Sequence, residues 1–144
     1  MNPAKKIKIF LVDDDVVFLK ALEIEFKQHE EFDITTFVSG ELCIASMAAK
    51  PDVVTLDYQL DGTTKGAMNG INTLDELRKI DPNLAVIMLS SQDKIEVAID
   101  CMHHQALDYV VKSETAFIRL QKIIASTFTV RKMEKELTWY IQHV

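Results

Sequence analysis

Short apolar runs alternate along this chain with stretches in which apolar residues recur every three or four positions, the two periods that separate strands from helices. Five runs read as strands: Ile7 to Val12, Phe32 to Phe37, Val53 to Leu56, Ala85 to Leu89 and Tyr109 to Val111, the second being the most polar. Helical period places helices at about Val16 to Gln28, Glu41 to Ala49, Ile71 to Ile80 and Lys94 to Gln105, with a fifth from near Glu114. In the first of these Leu19, Leu22 and Phe26 make one apolar stripe, as a helix lying on a sheet requires. Ser39-Gly40, Pro51-Asp52 and Asp81-Pro82-Asn83 punctuate the connections. Such βα alternation predicts one doubly wound α/β domain with a five-stranded parallel sheet.

The 144 residues suffice for one domain with its own core, and 48% hydrophobic content with mixed charge fits a globular protein. A net charge of −6 argues against nucleic-acid binding by general electrostatics. Cys43 and Cys101 lack CxxC spacing and sit among apolar neighbours, so they read as buried thiols of a reduced compartment. The basic start, Met1-Asn2-Pro3-Ala4-Lys5-Lys6, leads into a strand rather than a signal peptide. No apolar run approaches the roughly 18 residues of a membrane span, so a cytoplasmic location is expected.

The chemistry gathers at strand ends. Leu11-Val12-Asp13-Asp14-Asp15 delivers three carboxylates to the end of the first strand, and Val53-Val54-Thr55-Leu56-Asp57 delivers another. Asp15 precedes a helix and reads as its N-cap. Asp13, Asp14 and Asp57 remain as a cluster that a hard divalent cation would neutralise, in the place where open α/β sheets bind ligands. The fourth strand ends in Ser90-Ser91 and the fifth in Lys112. Carboxylates, a hydroxyl and an ammonium converging on one crevice are the parts that phosphoryl transfer uses.

With these residues the chain resembles the receiver domain of two-component response regulators, over roughly Lys6 to Ser126. The resemblance implies a flavodoxin-like sheet of strand order 2-1-3-4-5. It implies that Asp57 accepts a phosphoryl group from a sensor histidine kinase or histidine phosphotransfer protein. Mg²⁺ would be held by Asp14 directly, by Asp13 through water, by Asp57 and by the backbone carbonyl of Gln59. Ser90 and Lys112 would contact the phosphoryl group, and Ser90 and Tyr109 would switch with it, changing the surface of helix four, strand five and helix five.

Three positions depart from the family pattern. After Asp57 the family usually has Pro four residues on and Gly eight on, whereas this chain has Asp61 and then Gly70 thirteen on. The loop over residues 61–68 is thus about five residues longer; it is read either as a tolerated insertion or as a partial lid. Lys112 precedes Ser113 where the family commonly has a cis proline, and a cis bond here would cost about 3 kcal/mol, so trans is expected. Gln59 and Gln92 stand where the family tunes dephosphorylation.

Helix-forming residues continue to Val144, which divides the chain into a receiver (1–126) and a helical extension (127–144). Phe117, Leu120, Ile124 and Phe128 should dock on the receiver. Val130, Met133, Leu137, Tyr140 and Val144 follow 3-4-3-4 spacing beyond the sheet, which suggests a homodimer through this helix or the first turns of a signalling helix of a longer protein, with a tail folded back on its own receiver as the alternative. His103 and His104 read as surface residues. The expected function is a phosphorylation-dependent switch without direct nucleic-acid or membrane binding. The competing readings are a phosphorylation-independent interaction module and a Mg²⁺-dependent phosphohydrolase. The latter would need an acid where Gln59 stands.

Overall fold

A computed structural model describes residues 5–62 and 65–144. The basic start at residues 1–4 and the centre of the long loop, residues 63–64, lie outside the described residues.

The chain runs β1 (Ile7–Val12), α1 (Val16–Lys27), β2 (Phe32–Phe37), α2 (Gly40–Ala45), β3 (Val53–Asp57), α3 (Gly70–Ile80), β4 (Ala85–Ser90), α4 (Ile95–His103), β5 (Asp108–Val111) and α5 (Ala116–His143). All strand pairs are parallel and the sheet order is β2-β1-β3-β4-β5, as expected. β3 and β4 are buried along their whole length, the mark of parallel strands covered on both faces.

The two-residue period of the strands sorts the core into two layers. Ile9, Leu11, Val53, Ile87, Leu89 and Val110 face α1 and α5. Phe10, Val12, Val54, Leu56, Val86 and Met88 face the layer of α2, α3 and α4. Cys43 and Cys101 are buried free thiols in the second layer.

The second helix is shorter than expected. It stops at Ala45, and a 3₁₀ turn over Met47–Ala49 follows, closed by Lys50 in the left-handed region (φ 55°). Pro51 lies just ahead and disfavours helix in the residue before it. Gly40 lets α2 approach α3, because a Cβ there would stand 2.0 Å from Thr73 Oγ1. β3 and β4 each extend one residue further than expected, taking in Asp57 and Ser90. α4 ends earlier, at His103, before Gln105 turns left-handed (φ 69°).

α5 is one helix of 28 residues, about 42 Å long at 1.5 Å per residue. Leu120 and Ile124 are buried, and Phe117 and Phe128 pack against the same core layer. Arg131 Nη2 donates to Asn83 O at 2.9 Å; from Lys132 onward every side chain is exposed. The tail does not fold back on its receiver. No helix among the described residues is long and apolar enough to cross a membrane.

Candidate functional site

Sheet register builds the site. Val12 pairs with Leu56, so the next residues, Asp13 and Asp57, leave adjacent strands at one level. Asp13 follows Leu11, Asp57 follows Val53 and Thr55, and Lys112 follows Val110 at the two-residue period, which brings all three to the α1/α5 side of the sheet's C-terminal edge.

Asp15 is the N-cap of α1, its Oδ1 accepting from Val17 N (3.1 Å) and Phe18 N (3.2 Å). Asp13 Oδ1 accepts from Asp15 N at 2.9 Å and orients the acidic turn. Oxygens of Asp13, Asp14 and Asp57 all lie within 4.8 Å of one another. Lys112 Nζ reaches Asp13 Oδ2 at 2.7 Å and Asp57 Oδ1 at 3.4 Å, and it also sits 4.8 Å from the centroid of the Phe18 ring.

Burial and then the charge of Asp13 push the Asp57 carboxyl up to about 6, against the opposing pull of Lys112 and of the Gln59 N–H, which donates to Asp57 Oδ1 at 3.2 Å. Burial opposes the Lys112 ammonium, yet Asp13 and Asp57 hold its pKa above the ordinary lysine range. One cation therefore serves two nearly buried carboxylates. Asp13 Oδ2, although ion-paired, accepts no hydrogen bond of good geometry, so it keeps a lone pair to offer.

That set of hard oxygens fits Mg²⁺, which takes carboxylates and keeps several waters. Asp13, Asp14 and Asp57 are the carboxylates that could hold it. A Cβ added to Gly62 would lie 3.4 Å from Asp14 Oδ2 and 3.7 Å from Gln59 O, so the Gln59 carbonyl and the acidic cluster border the same space at the start of the long loop. Met68, at the loop's other end, donates from its backbone N to Glu41 Oε1 of α2 at 3.3 Å.

Ser90 is fully buried at the end of β4; its Oγ accepts from Gln92 N at 3.0 Å, and its carbonyl accepts from Lys112 N at 2.8 Å. Tyr109 packs against the opposite core layer from Lys112, with its hydroxyl donating to Gln92 O. The Lys112–Ser113 bond is trans, as expected.

Besides the Phe18–Lys112 contact, two relationships escaped the sequence reading. Gly70 lies against the candidate acceptor itself: a Cβ there would stand 2.3 Å from Asp57 O, and Gly70 N donates to Tyr58 O at 3.1 Å. A polar chain also leads away from Asp57. Tyr58 Oη donates to Asp100 Oδ2 (3.0 Å), Asp100 Oδ1 lies 3.7 Å from His104 Nε2, and His104 Nδ1 lies 2.8 Å from Asp75 Oδ1. The Asp75 carboxylate raises the pKa of His104, which is thus a linker between α3 and α4 more than a plain surface residue. His103 is exposed, as expected.

The sequence profile of the response regulator receiver domain matches residues 9–125. Chemotaxis protein CheY of Thermotoga maritima is 30% identical over 111 residues, covering 73% of this chain and 85% of that protein. The probable transcriptional regulatory protein TcrX of Mycobacterium tuberculosis is 30% identical over 125 residues, 84% of this chain. A crystal structure of the CheX–CheY–BeF3–Mg complex from Borrelia burgdorferi superposes with a TM-score of 0.73 at 28% identity, covering 86% of this chain and 90% of that one. The chain spans 51% of TcrX and only 32% of a protein-glutamate methylesterase/protein-glutamine glutaminase of Clostridium acetobutylicum. Receiver domains are signalling switches, and the chain belongs to the response regulator receiver domain family.

Proposed function

We propose that this chain is a phosphoryl-accepting switch in which Asp57 takes a phosphoryl group from a phosphohistidine of a sensor histidine kinase or histidine phosphotransfer protein. The observation that carries the reading is the meeting of Asp57, Asp13, Asp14 and Lys112 at one sheet edge. A CheY relative crystallised with BeF3 and Mg²⁺ supports it.

An Asp57 oxygen attacks phosphorus in line, the phosphorus–nitrogen bond breaks, and the histidine leaves with the bonding pair. Mg²⁺ would be held by Asp14, Asp57 and the Gln59 carbonyl, with Asp13 helping through water, and would supply charge neutralisation for the transferring oxygens. Lys112 donates to those oxygens from the other side, and the Ser90 hydroxyl supplies a further donor. Gln59 is an amide, so the chain offers no carboxylic acid there for turnover of phosphoesters.

The acyl phosphate would draw Ser90 toward it and hold Tyr109 against the β4–α4 loop, a population shift between two packings. Exposed Ile95, Ile99 and Met102 on α4 and Ile118 on α5 give that shift a surface on which to act. In this reading the chain divides into a receiver (1–126) and a helical extension (127–144). The stripe Val130, Met133, Leu137, Tyr140 and Val144, each at least half exposed, suits a second copy of the chain. Such a switch would work in the cytoplasm, beside the kinase.

Borohydride reduction after reaction with a small-molecule phosphodonor tests the acceptor, because it converts an aspartyl phosphate to homoserine. Homoserine at position 57 is the expected result. Homoserine at Asp13 or Asp14 instead would refute the assignment.

A further inference from the structure

Phe18 belongs to the site, although neither charge nor strand order calls for it. The Lys112 ammonium has Asp13 Oδ2 at 2.7 Å, Asp57 Oδ1 at 3.4 Å and the Phe18 ring centroid at 4.8 Å. Its side chain is only 13% exposed, so little of its solvation comes from water. An aromatic face carries partial negative charge, and its attraction for a cation grows as the cation is desolvated.

Phe18 is also held in place. The Asp15 carboxylate accepts from the backbone N–H of Val17 and of Phe18, which fixes the first turn of α1. The ring itself packs partly buried against the core layer beneath α1 and α5. Beside Lys112 lies a cleft of about 400 Å³ bordered by Phe18, Leu22, Lys112, Ala116 and Phe117. That cleft is the place into which the lysine chain could swing away from the carboxylates.

We propose that Phe18 is a positioning residue for phosphoryl transfer: its ring face holds the Lys112 ammonium over Asp57 and out of the cleft. During transfer the Asp57 oxygen gives up its charge as the bonding pair leaves with the histidine, the phosphoryl oxygens bring their own negative charge beside it, and Lys112 moves toward them from the Asp13 side. The ring leaves that path open while discouraging the path toward solvent. Leucine or methionine would fill the space without offering a negative face; tyrosine would keep it. This rests on the reading of Asp57 as acceptor and Lys112 as its cationic partner.

The test is the initial phosphorylation rate with a small-molecule phosphodonor in saturating Mg²⁺, followed by intact mass. Phe18→Leu, Phe18→Met and Phe18→Tyr are compared in the wild-type and Lys112→Met backgrounds, with thermal melting to verify folding. Leu and Met should slow the reaction about 2- to 30-fold, the range that a cation–π contact implies. Tyr should stay within about twofold of the wild type by the same reasoning. In the Lys112→Met background none of the three should cost anything further. Wild-type rates for Leu and Met beside a slow Lys112→Met would overturn the inference, and so would an equal slowing in both backgrounds. A wild-type rate for Lys112→Met would remove the lysine's part in transfer and the inference with it. Should Phe18→Leu fail to fold, the Met and Tyr pair reads the same contrast.

Discussion

Lys112 Nζ lies closer to Asp13 Oδ2, at 2.7 Å, than to any oxygen of the candidate acceptor, which it approaches at 3.4 Å. Asp57 is therefore less compensated by the lysine than Asp13, and burial followed by the charge of Asp13 raises its carboxyl to about 6.

A raised carboxyl means that the native state keeps a proton the unfolded chain has released, between about pH 4 and pH 6. Stability without metal should thus fall as pH rises through that window and stay lower at pH 7. Asp57→Asn should recover roughly 2 kcal/mol at pH 7, with the gain shrinking toward pH 4. Urea denaturation in chelator at several pH values measures it. Equal stabilities at pH 7 would contradict the electrostatic account.

Mg²⁺ should have the complementary effect. At ten times its dissociation constant it should stabilise the wild type by about 1.4 kcal/mol, and chelator should reverse this. Asp14→Asn, which removes one carboxylate of the cluster, should lose most of the gain in thermal melts. A full Mg²⁺ response in that variant would place the ion elsewhere.

Gly70 has no room for a side chain. An alanine Cβ would stand 2.3 Å from Asp57 O and 2.7 Å from Tyr58 Cα, both backbone atoms that cannot swing aside. Gly70→Ala should cost roughly 3 kcal/mol and slow phosphorylation. Gly66→Ala meets no neighbour within 4 Å and is strained only by φ +83°, so it should cost about 1 kcal/mol. Denaturation midpoints of the two variants give the comparison.

Much of this site was legible because it hangs on strand ends. The apolar runs before Asp13, Asp57 and Lys112 announce buried parallel strands, and the two-residue period carries each polar residue to a predictable side. Ser90 followed from the same logic, whereas the place of Tyr109 in the site was implied only by the family resemblance. The insertion between Leu60 and Asn69, the N-cap of α3, was legible from the displaced Gly70, but the close approach of that glycine to Asp57 O was not. Phe18 over Lys112 and Tyr58 on Asp100 were not legible, since each joins elements distant in sequence through helix orientations that periodicity does not encode. The early end of α2 escaped for a local reason: apolar spacing continues through Met47 while the backbone tightens into a 3₁₀ turn.

The exposed stripe on α5 yields a separate expectation. Leu137 is 59% exposed and central among the five heptad-spaced residues. Sedimentation equilibrium should find a dimer of the wild type, and Leu137→Glu should shift it to monomer with the melting temperature of the receiver largely kept. A wild-type monomer at high concentration would refute pairing through this helix.

The central claim is that Asp57 accepts a phosphoryl group with help from a divalent cation. Intact mass after incubation with Mg²⁺ and a small-molecule phosphodonor tests it most directly, beside Asp57→Asn and a Mg²⁺-free control. The account predicts a gain of one phosphoryl group in the wild type with Mg²⁺ and in neither control. No gain in the folded wild type, with phosphohistidine donors also failing, would contradict it and leave a receiver fold that signals without phosphate.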